Sequence, residues 1–239
     1  MKSNITRRLI VSDLDEIFFP IRQVYVNAIN MRFGLSLDSS SYNCYGVMAW
    51  LASHHPEVFA EIERRGGKLE HFKWLSVNTN LLQDTPPIPG TAEYAGELKD
   101  RKISLGIATH RASPKDPHYY YQDGPKITRE WLVRFGIPFD FIEFTGEKAA
   151  AIAKIEGEAG CSAEVYVEDH PANIIETLEA GYRVAFPDKT YNQADLISED
   201  ADPISYGNGR FTQEKWTNTL RSPRVHRIKH LRDISDLVA

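Results

Sequence analysis

Three apolar stretches of this chain stop at side chains suited to phosphoryl chemistry. Residues 8–12 run into Asp13 and, two positions on, Asp15; residues 102–108 run into Thr109; residues 164–167 run into Glu168 and Asp169. Lys148, at the start of a helical pattern, adds a cation. A phosphate monoester is anionic and resists attack by anions, so chemistry on it calls for a cation. Carboxylates such as Asp13 and Asp169 are the hard oxygen ligands that suit Mg2+. A second Asp13 oxygen would then be free to attack phosphorus and form an aspartyl phosphate. Asp15 sits where it could protonate the leaving oxygen and later deprotonate the water that hydrolyses the intermediate. Thr109 and Lys148 would hold the phosphoryl oxygens as charge spreads in the transition state. Two carboxylates this close should titrate as a coupled pair unless a metal is bound.

The positioning elements follow from pattern. Residues 8–13, 102–109, 164–169 and 182–186 read as buried parallel strands, and 139–144 as a short fifth strand. Helical patterns occupy residues 91–100, 127–135, 148–159 and 171–180. Pro171 lies in the first turn of the last of these, and Gly136, Gly160 and Gly181 punctuate helix ends. Strands alternating with helices predict an α/β Rossmann-like parallel sheet with helices on both faces. In such a sheet the active crevice lies outside the carboxyl ends of the strands, which gathers these groups despite their distance in sequence. Residues 19–84 lack that alternation. Residues 21–33 and 56–65 are helical in pattern, Gly66 and Gly67 break the second, and Pro86, Pro87 and Pro89 form a stiff return. The expected organisation is a core of residues 1–18 and 85–239, with a small helical cap, 19–84, inserted after the first strand.

The motifs Val11-Ser-Asp13-Leu-Asp15-Glu16, Thr109 after an apolar strand, Lys148, and Val167-Glu-Asp169-His-Pro-Ala-Asn173 resemble, in order and spacing, the four motifs of the haloacid dehalogenase-like hydrolases. The resemblance covers roughly residues 8–192. Ile88-Pro-Gly90-Thr-Ala-Glu and Phe186-Pro-Asp188-Lys-Thr-Tyr-Asn192 look like the 5'-nucleotidase and 5'(3')-deoxyribonucleotidase branch. The resemblance implies Asp13 as nucleophile and Asp15 as acid/base. It implies a magnesium site from Asp13, Asp169 and the Asp15 backbone carbonyl. The family usually has Gly after the second Asp, then Thr or Val; here Glu16 and Ile17 stand there. Glu16 therefore bears on substrate choice and rate. His110 and Arg111 follow Thr109, and Arg111 could add a phosphate contact. The loop of residues 112–125, with Tyr119, Tyr120 and Tyr121, has no clear counterpart.

Weaker signals have competing readings. Lys126 rivals Lys148 as the motif lysine. Glu168 fits a partner of the metal ligands as well as a ligand, and Asn173 fits either a helix end or a contact to metal-bound water or a carboxylate. Trp50, His71, Phe72 and Trp74 could stack on a base or form the cap core. One of Phe18 and Phe19, just past the catalytic loop, would face the substrate. His54, His55 and His110 have no second ligand at helical spacing, which argues against zinc. Arg221, Arg224, Arg227 and Lys229 form a basic run that reads first as a solvated face.

Composition bounds the rest. Two cysteines in 239 residues cannot build a disulfide framework, so a reducing, cytoplasmic setting fits. No stretch suits a signal-peptide core or a membrane span. A net charge of -5 argues against stable binding of long nucleic acid. The expected activity is Mg2+-dependent hydrolysis of a small phosphorylated metabolite, with a nucleoside monophosphate the leading substrate by resemblance. Alternatives are a sugar or metabolite phosphatase, a polynucleotide 3'-phosphatase, or a non-catalytic binding protein that keeps the fold. Retention of both Asp13 and Asp15 speaks against the last, because binding needs no acid/base.

Overall fold

The computed structural model describes residues 7–42, 46–111, 123–189, 192 and 213–238. The 112–122 part of the tyrosine-rich loop lies outside them. The apolar runs form a six-stranded sheet: β1 (Arg8–Ser12), β2 (Ile103–Thr109), β3 (Phe141–Phe144), β4 (Ala163–Val167), β5 (Val184–Pro187) and β6 (Val225–Ile228). All neighbours pair in parallel, in the order β3-β2-β1-β4-β5-β6. β1 is central because its side chains are apolar towards both faces. Ile10 joins one core cluster with Leu105, Ile107, Val165 and Val167. Leu9 and Val11 join another with Tyr166, Val184 and Ile174.

Helices cover both faces. α6 (Thr91–Asp100) and α7 (Gly124–Arg134) contribute Tyr94, Leu98, Trp131 and Leu132 to the first cluster. α8 (Lys148–Ala159), α9 (Pro171–Glu179) and α10 (Gln213–Leu220) contribute Ile152, Ile155, Leu178 and Trp216 to the second. α8 sits close to the sheet at Gly106, where an added Cβ would lie 2.8 Å from Ile155 Cγ2. It ends at Gly160 in the left-handed conformation, as the punctuation predicts. A short helix α11 (Ile234–Leu237) follows β6.

Between β1 and β2 stand α1 (Ile21–Phe33), α2 (Val47–His54), α3 (Pro56–Arg64), α4 (Gly67–Asn78) and α5 (Leu81–Asp84). α1 is apolar on two sides. Val24 and Ala28 pack towards the sheet domain, while Val26 and Ile29 join Tyr42, Trp50, Leu51, Ile62 and Phe72 in a third cluster. Sequence pattern finds α1 and α3; α2 and α4 are less legible because their apolar residues are spread round the helix.

β6 is the strand that the sequence reading lacks. Val225-His226-Arg227-Ile228 is short and half polar, and it lies inside the basic run. It becomes a strand because β5 offers an open edge: the two pair from Val184↔Val225 to Pro187↔Ile228. Arg221, Arg224, Arg227 and Lys229 are all exposed, and Arg227 lies 3.6 Å from Asp188. No helix among the described residues is long and apolar enough to cross a membrane.

Candidate active site

β1 lies between β2 and β4, so the carboxyl ends of three strands that carry chemistry are adjacent. The Asp13 amide donates to Val167 O at 2.8 Å, which continues the β1–β4 ladder one residue past the strand. The chain then turns tightly. The Phe18 and Phe19 amides both donate to Leu14 O, and the Glu16 amide donates to Phe19 O. This turn places Asp13 and Asp15 at the cleft while it folds both phenylalanines inward.

Lys148 opens α8 and reaches back under the strand ends. Its Nζ is buried and donates to Asp13 Oδ1 at 2.7 Å and to Ala108 O at 2.8 Å, with Glu168 Oε2 at 3.9 Å. The rival Lys126 is exposed and lies 4.0 Å from Glu130. Asp13, Glu168 and Asp169 are all buried, and each offers an oxygen within 4.8 Å of the others, a cluster able to hold a metal ion. Burial, with the charges of Glu168 and Asp15, pushes the Asp13 carboxyl up to about 7 against the pull of Lys148. Burial also works to lower the Lys148 ammonium, but Asp13 and Glu168 outweigh it and hold it above its usual range. Three clustered acids, two of them beside a single ammonium, are short of positive charge. A hard divalent cation fits that deficit.

Glu168 has its oxygens in use. Oε2 accepts from the Tyr166 hydroxyl at 2.7 Å and from Asn173 Nδ2 at 3.0 Å, and Oε1 accepts from the Asp169 and His170 amides, both at 3.1 Å. Burial would raise its carboxyl, but Lys148, the Tyr166 hydroxyl and His170 bring it below the usual range. Glu168 is thus built to stay ionised and to orient the Asp169 turn. Asn173 touches Glu168, which matches a carboxylate contact rather than a mere helix end. The Tyr166 hydroxyl was missed in sequence; it lies on a buried strand two residues before Glu168, on the same face.

Thr109 is fully buried at the end of β2, and its hydroxyl has no partner among the described residues. A buried hydroxyl left unpaired is costly unless something binds there. Its backbone carbonyl accepts from the Thr145 amide at 2.9 Å, which brings the β3–α8 loop to the site. His110 packs against that loop, since a Cβ at Gly146 would stand 3.0 Å from its Nε2.

Arg111, expected as a phosphate contact, is not among the residues that line the cleft. It is 1% exposed, and it contacts the Asp15 carboxylate at 2.5 Å through Nη2 and 3.3 Å through Nε. Glu16 adopts φ +59, in the left-handed region that glycine visits freely. Its carboxylate accepts from the Arg22 amide in the first turn of α1 at 2.9 Å and lies 3.9 Å from Lys189 Nζ. Burial raises the Glu16 carboxyl, opposed by Lys189 and the Arg22 contact.

A cleft of about 340 Å³ opens above these groups. Its lining includes Asp13, Asp15, Glu16, His110, Lys148 and Asp169 on one side and Arg22, Tyr25, Tyr42, Lys68 and Phe72 from the helical insertion on the other. Several residues expected to face a substrate do not line it. Trp50 is fully buried in the insertion's own core, stacked on Tyr42 with ring centroids 5.2 Å apart. Phe18 is fully buried against Tyr94, turned in by the hydrogen bond to Leu14. Trp74 lies against His71 and beneath the Arg32 guanidinium, away from the cleft. Tyr25 and Phe72, stacked at 4.6 Å, are aromatic walls. Phe72 was among the sequence candidates. Tyr25 was not, because one tyrosine on a helix that is apolar on two sides carries no local signal.

No family model matches the chain. Over 111 residues it is 28% identical to a provisional 5'(3')-deoxyribonucleotidase of Chlorobaculum tepidum; the match takes in 46% of this chain and 48% of that protein. The chain thus spans about half the length of the curated relative that it matches. Among solved structures it is similar to a subfamily IA hydrolase of the HAD superfamily from Geobacter sulfurreducens, with a TM-score of 0.57 and 16% identity over 98% of this chain and 97% of that one. It is also similar to the L-2-haloacid dehalogenase of Xanthobacter autotrophicus, with a TM-score of 0.55 and 16% identity over 97% and 98% of the two chains. At such identities the likeness speaks for the fold, and it extends over nearly the whole chain. A central strand ending in Asp13, flanked by strands ending in Thr109 and before Glu168 and Asp169, sits within the fold of the haloacid dehalogenase-like hydrolases.

Proposed function

We propose that this protein is a phosphomonoester hydrolase that uses Asp13 as a covalent nucleophile and a divalent cation, Mg2+, as cofactor. The observation that carries the reading is the convergence at one sheet edge of a buried acid cluster, an ammonium on the nucleophile, and a buried threonine hydroxyl with no partner among the described residues. Asp13 and Asp169 would hold the ion, with the Asp15 carbonyl completing the set. When bound, Mg2+ neutralises the carboxylates and draws charge from the phosphoryl oxygens. Lys148 keeps the attacking carboxylate oriented, and Thr109 and Lys148 hold phosphoryl oxygens in the transition state. Asp15 gives a proton to the leaving oxygen, then takes one from the water that cleaves the aspartyl phosphate. Halide leaves carbon without a proton, so a placed acid such as Asp15 favours an alkoxide leaving group over carbon–halogen cleavage.

The leading substrate is a nucleoside monophosphate, with residues 19–84 acting as a cap. Three features support this: the motif resemblance, the name of the Chlorobaculum relative, and the aromatic wall of Tyr25, Tyr42 and Phe72. Arg22 and Lys68 make that wall cationic, which suits a polar leaving group better than an alkyl one.

Hydrolysis of a metabolite phosphate panel, with Mg2+ and with chelator, tests the reading. Phosphate release should require the ion. Asp13→Asn should lose turnover by a factor of about 10³ or more while its thermal unfolding stays close to wild type, since no other group can supply the nucleophile. Near wild-type hydrolysis by a verified Asp13→Asn sample, free of contaminating phosphatase, would sink the covalent mechanism.

A further inference from the structure

Arg111 invites the phosphate-ligand role by its place two residues after Thr109, but its geometry serves another group. The Arg111 side chain is buried and presents two donors to Asp15, Nη2 to Oδ1 at 2.5 Å and Nε to Oδ2 at 3.3 Å. Its other side is filled: the carbon of the guanidinium lies 4.0 Å from the centroid of Phe19, whose ring packs edge-on against Trp131 at 5.1 Å. A buried guanidinium is strongly disfavoured unless a carboxylate meets its fork. The planar fork fixes direction as well as charge, which a lysine ammonium does not. Asp15 is 27% exposed at the cleft and sits on a tight turn, where its side chain would otherwise sample several rotamers.

We propose that Arg111 is a positioning residue for the acid/base: it fixes the Asp15 rotamer that hands a proton to the leaving oxygen. The inference rests on the phosphatase reading. In the first step an Asp13 oxygen bonds to phosphorus, and the phosphorus–leaving-oxygen bond breaks with its electron pair on that oxygen, which takes the proton of Asp15. In the second step water oxygen bonds to phosphorus, Asp15 takes its proton, and the acyl-phosphate bond returns its pair to Asp13. The fork meets both carboxylate oxygens, Nη2 on Oδ1 and Nε on Oδ2, and so fixes the plane and direction of the Asp15 side chain.

Leaving-group dependence separates positioning from phosphate binding. An alkoxide needs the proton, whereas p-nitrophenolate leaves as a stable anion. The measure is kcat/KM for a nucleoside or sugar monophosphate divided by kcat/KM for p-nitrophenyl phosphate, which reports steps through leaving-group departure. Arg111→Met should lower this ratio by about tenfold or more, a share of the roughly 10²–10⁴ that a placed general acid contributes. Arg111→Lys should recover part of the loss. In an Asp15→Asn background, adding Arg111→Met should leave the ratio where it was, because the two residues act as one unit. A melting curve checks each variant, and if Arg111→Met does not fold, Arg111→Lys carries the same ratio test. Equal losses on both esters, or a further fall of the ratio in the Asp15→Asn background, would overturn the proposal and return Arg111 to the phosphoryl group. Wild-type protein that hydrolyses neither ester would sink the phosphatase reading itself.

Discussion

Asp13, Lys148 and Thr109 occupy one edge, yet they are stabilised in different ways. Asp13 and Lys148 form a buried pair at 2.7 Å, so each offsets the desolvation of the other. Thr109 has no such partner among the described residues and waits for one. This difference predicts a separation of roles. Asp169→Ala should weaken Mg2+ binding strongly, because a hard carboxylate sets affinity for that ion. Thr109→Val should leave Mg2+ affinity within about twofold and lower kcat/KM instead, because on the proposed reading its hydroxyl serves the phosphoryl group and not the metal. Calorimetric titration of both variants with Mg2+ checks this, and equal affinities would count against the assignment.

At the scale of elements, the turn from β1 to α1 carries a cost and a compensation. Glu16 takes a backbone conformation that disfavours any residue with a Cβ, and its carboxylate contacts the first turn of α1 and Lys189. Glu16→Ala keeps the strain and loses the contacts, whereas Glu16→Gly loses the contacts and releases the strain. The glycine variant should therefore be the more stable of the two by about 1 kcal/mol. Urea unfolding of the pair, read at equal m-values, decides this; the reverse order would mean that the strain is absent.

α1 and α4 meet through His71. Its Nδ1 accepts from Arg32 Nη1 at 3.0 Å, and its Nε2 has no partner among the described residues. Burial, then the Arg32 charge, lowers His71 to about 4, below its usual value near 6.5. The unfolded chain therefore takes up this proton first as pH falls. The contribution to stability is present above about pH 6.5 and is lost as pH drops towards 4. Chemical denaturation at pH 7 and pH 5 should show a smaller acid-induced loss for His71→Gln than for wild type. An unchanged difference between the two pH values would place the acid sensitivity elsewhere.

Across the whole molecule, the sheet domain supplies reactive groups and the helical insertion supplies the opposite wall of the cleft. That division separates two aromatic residues that look alike in sequence. Phe72 lines the cleft, and Trp50 fills the insertion's core. Phe72→Leu should raise KM for nucleoside monophosphates by about tenfold, given about 1–3 kcal/mol per stacked base, and should spare p-nitrophenyl phosphate. Trp50→Leu should act on both substrates alike and lower the melting temperature, as the loss of a large buried side chain does. Steady-state kinetics on both esters beside thermal melts distinguishes the two. A nucleotide-selective effect at Trp50, with none at Phe72, would reverse the assignment of the wall.

Sequence alone determined the strand ends and the order of the chemical groups along the chain. Each of β1, β2 and β4 is an apolar run stopped by a polar residue, and burial on both faces of a parallel sheet leaves few other arrangements. The helix at 148–159 was legible to the residue, because Lys148 and Gly160 bound a clean apolar stripe. Position after the fifth strand and before the acidic pair pointed to Lys148 over Lys126; tertiary structure alone shows that its ammonium reaches Asp13 itself, because that depends on the path of α8 beneath the strand ends. It also decided that Arg111 meets Asp15, that Phe18 and Trp50 turn inward, and that Tyr25 forms a wall. β6 exists only because β5 leaves an unpaired edge for a weak run to complete. In each of these cases the partner lies far away in sequence, and the energy that selects the conformation comes from burial and pairing, which local pattern does not encode.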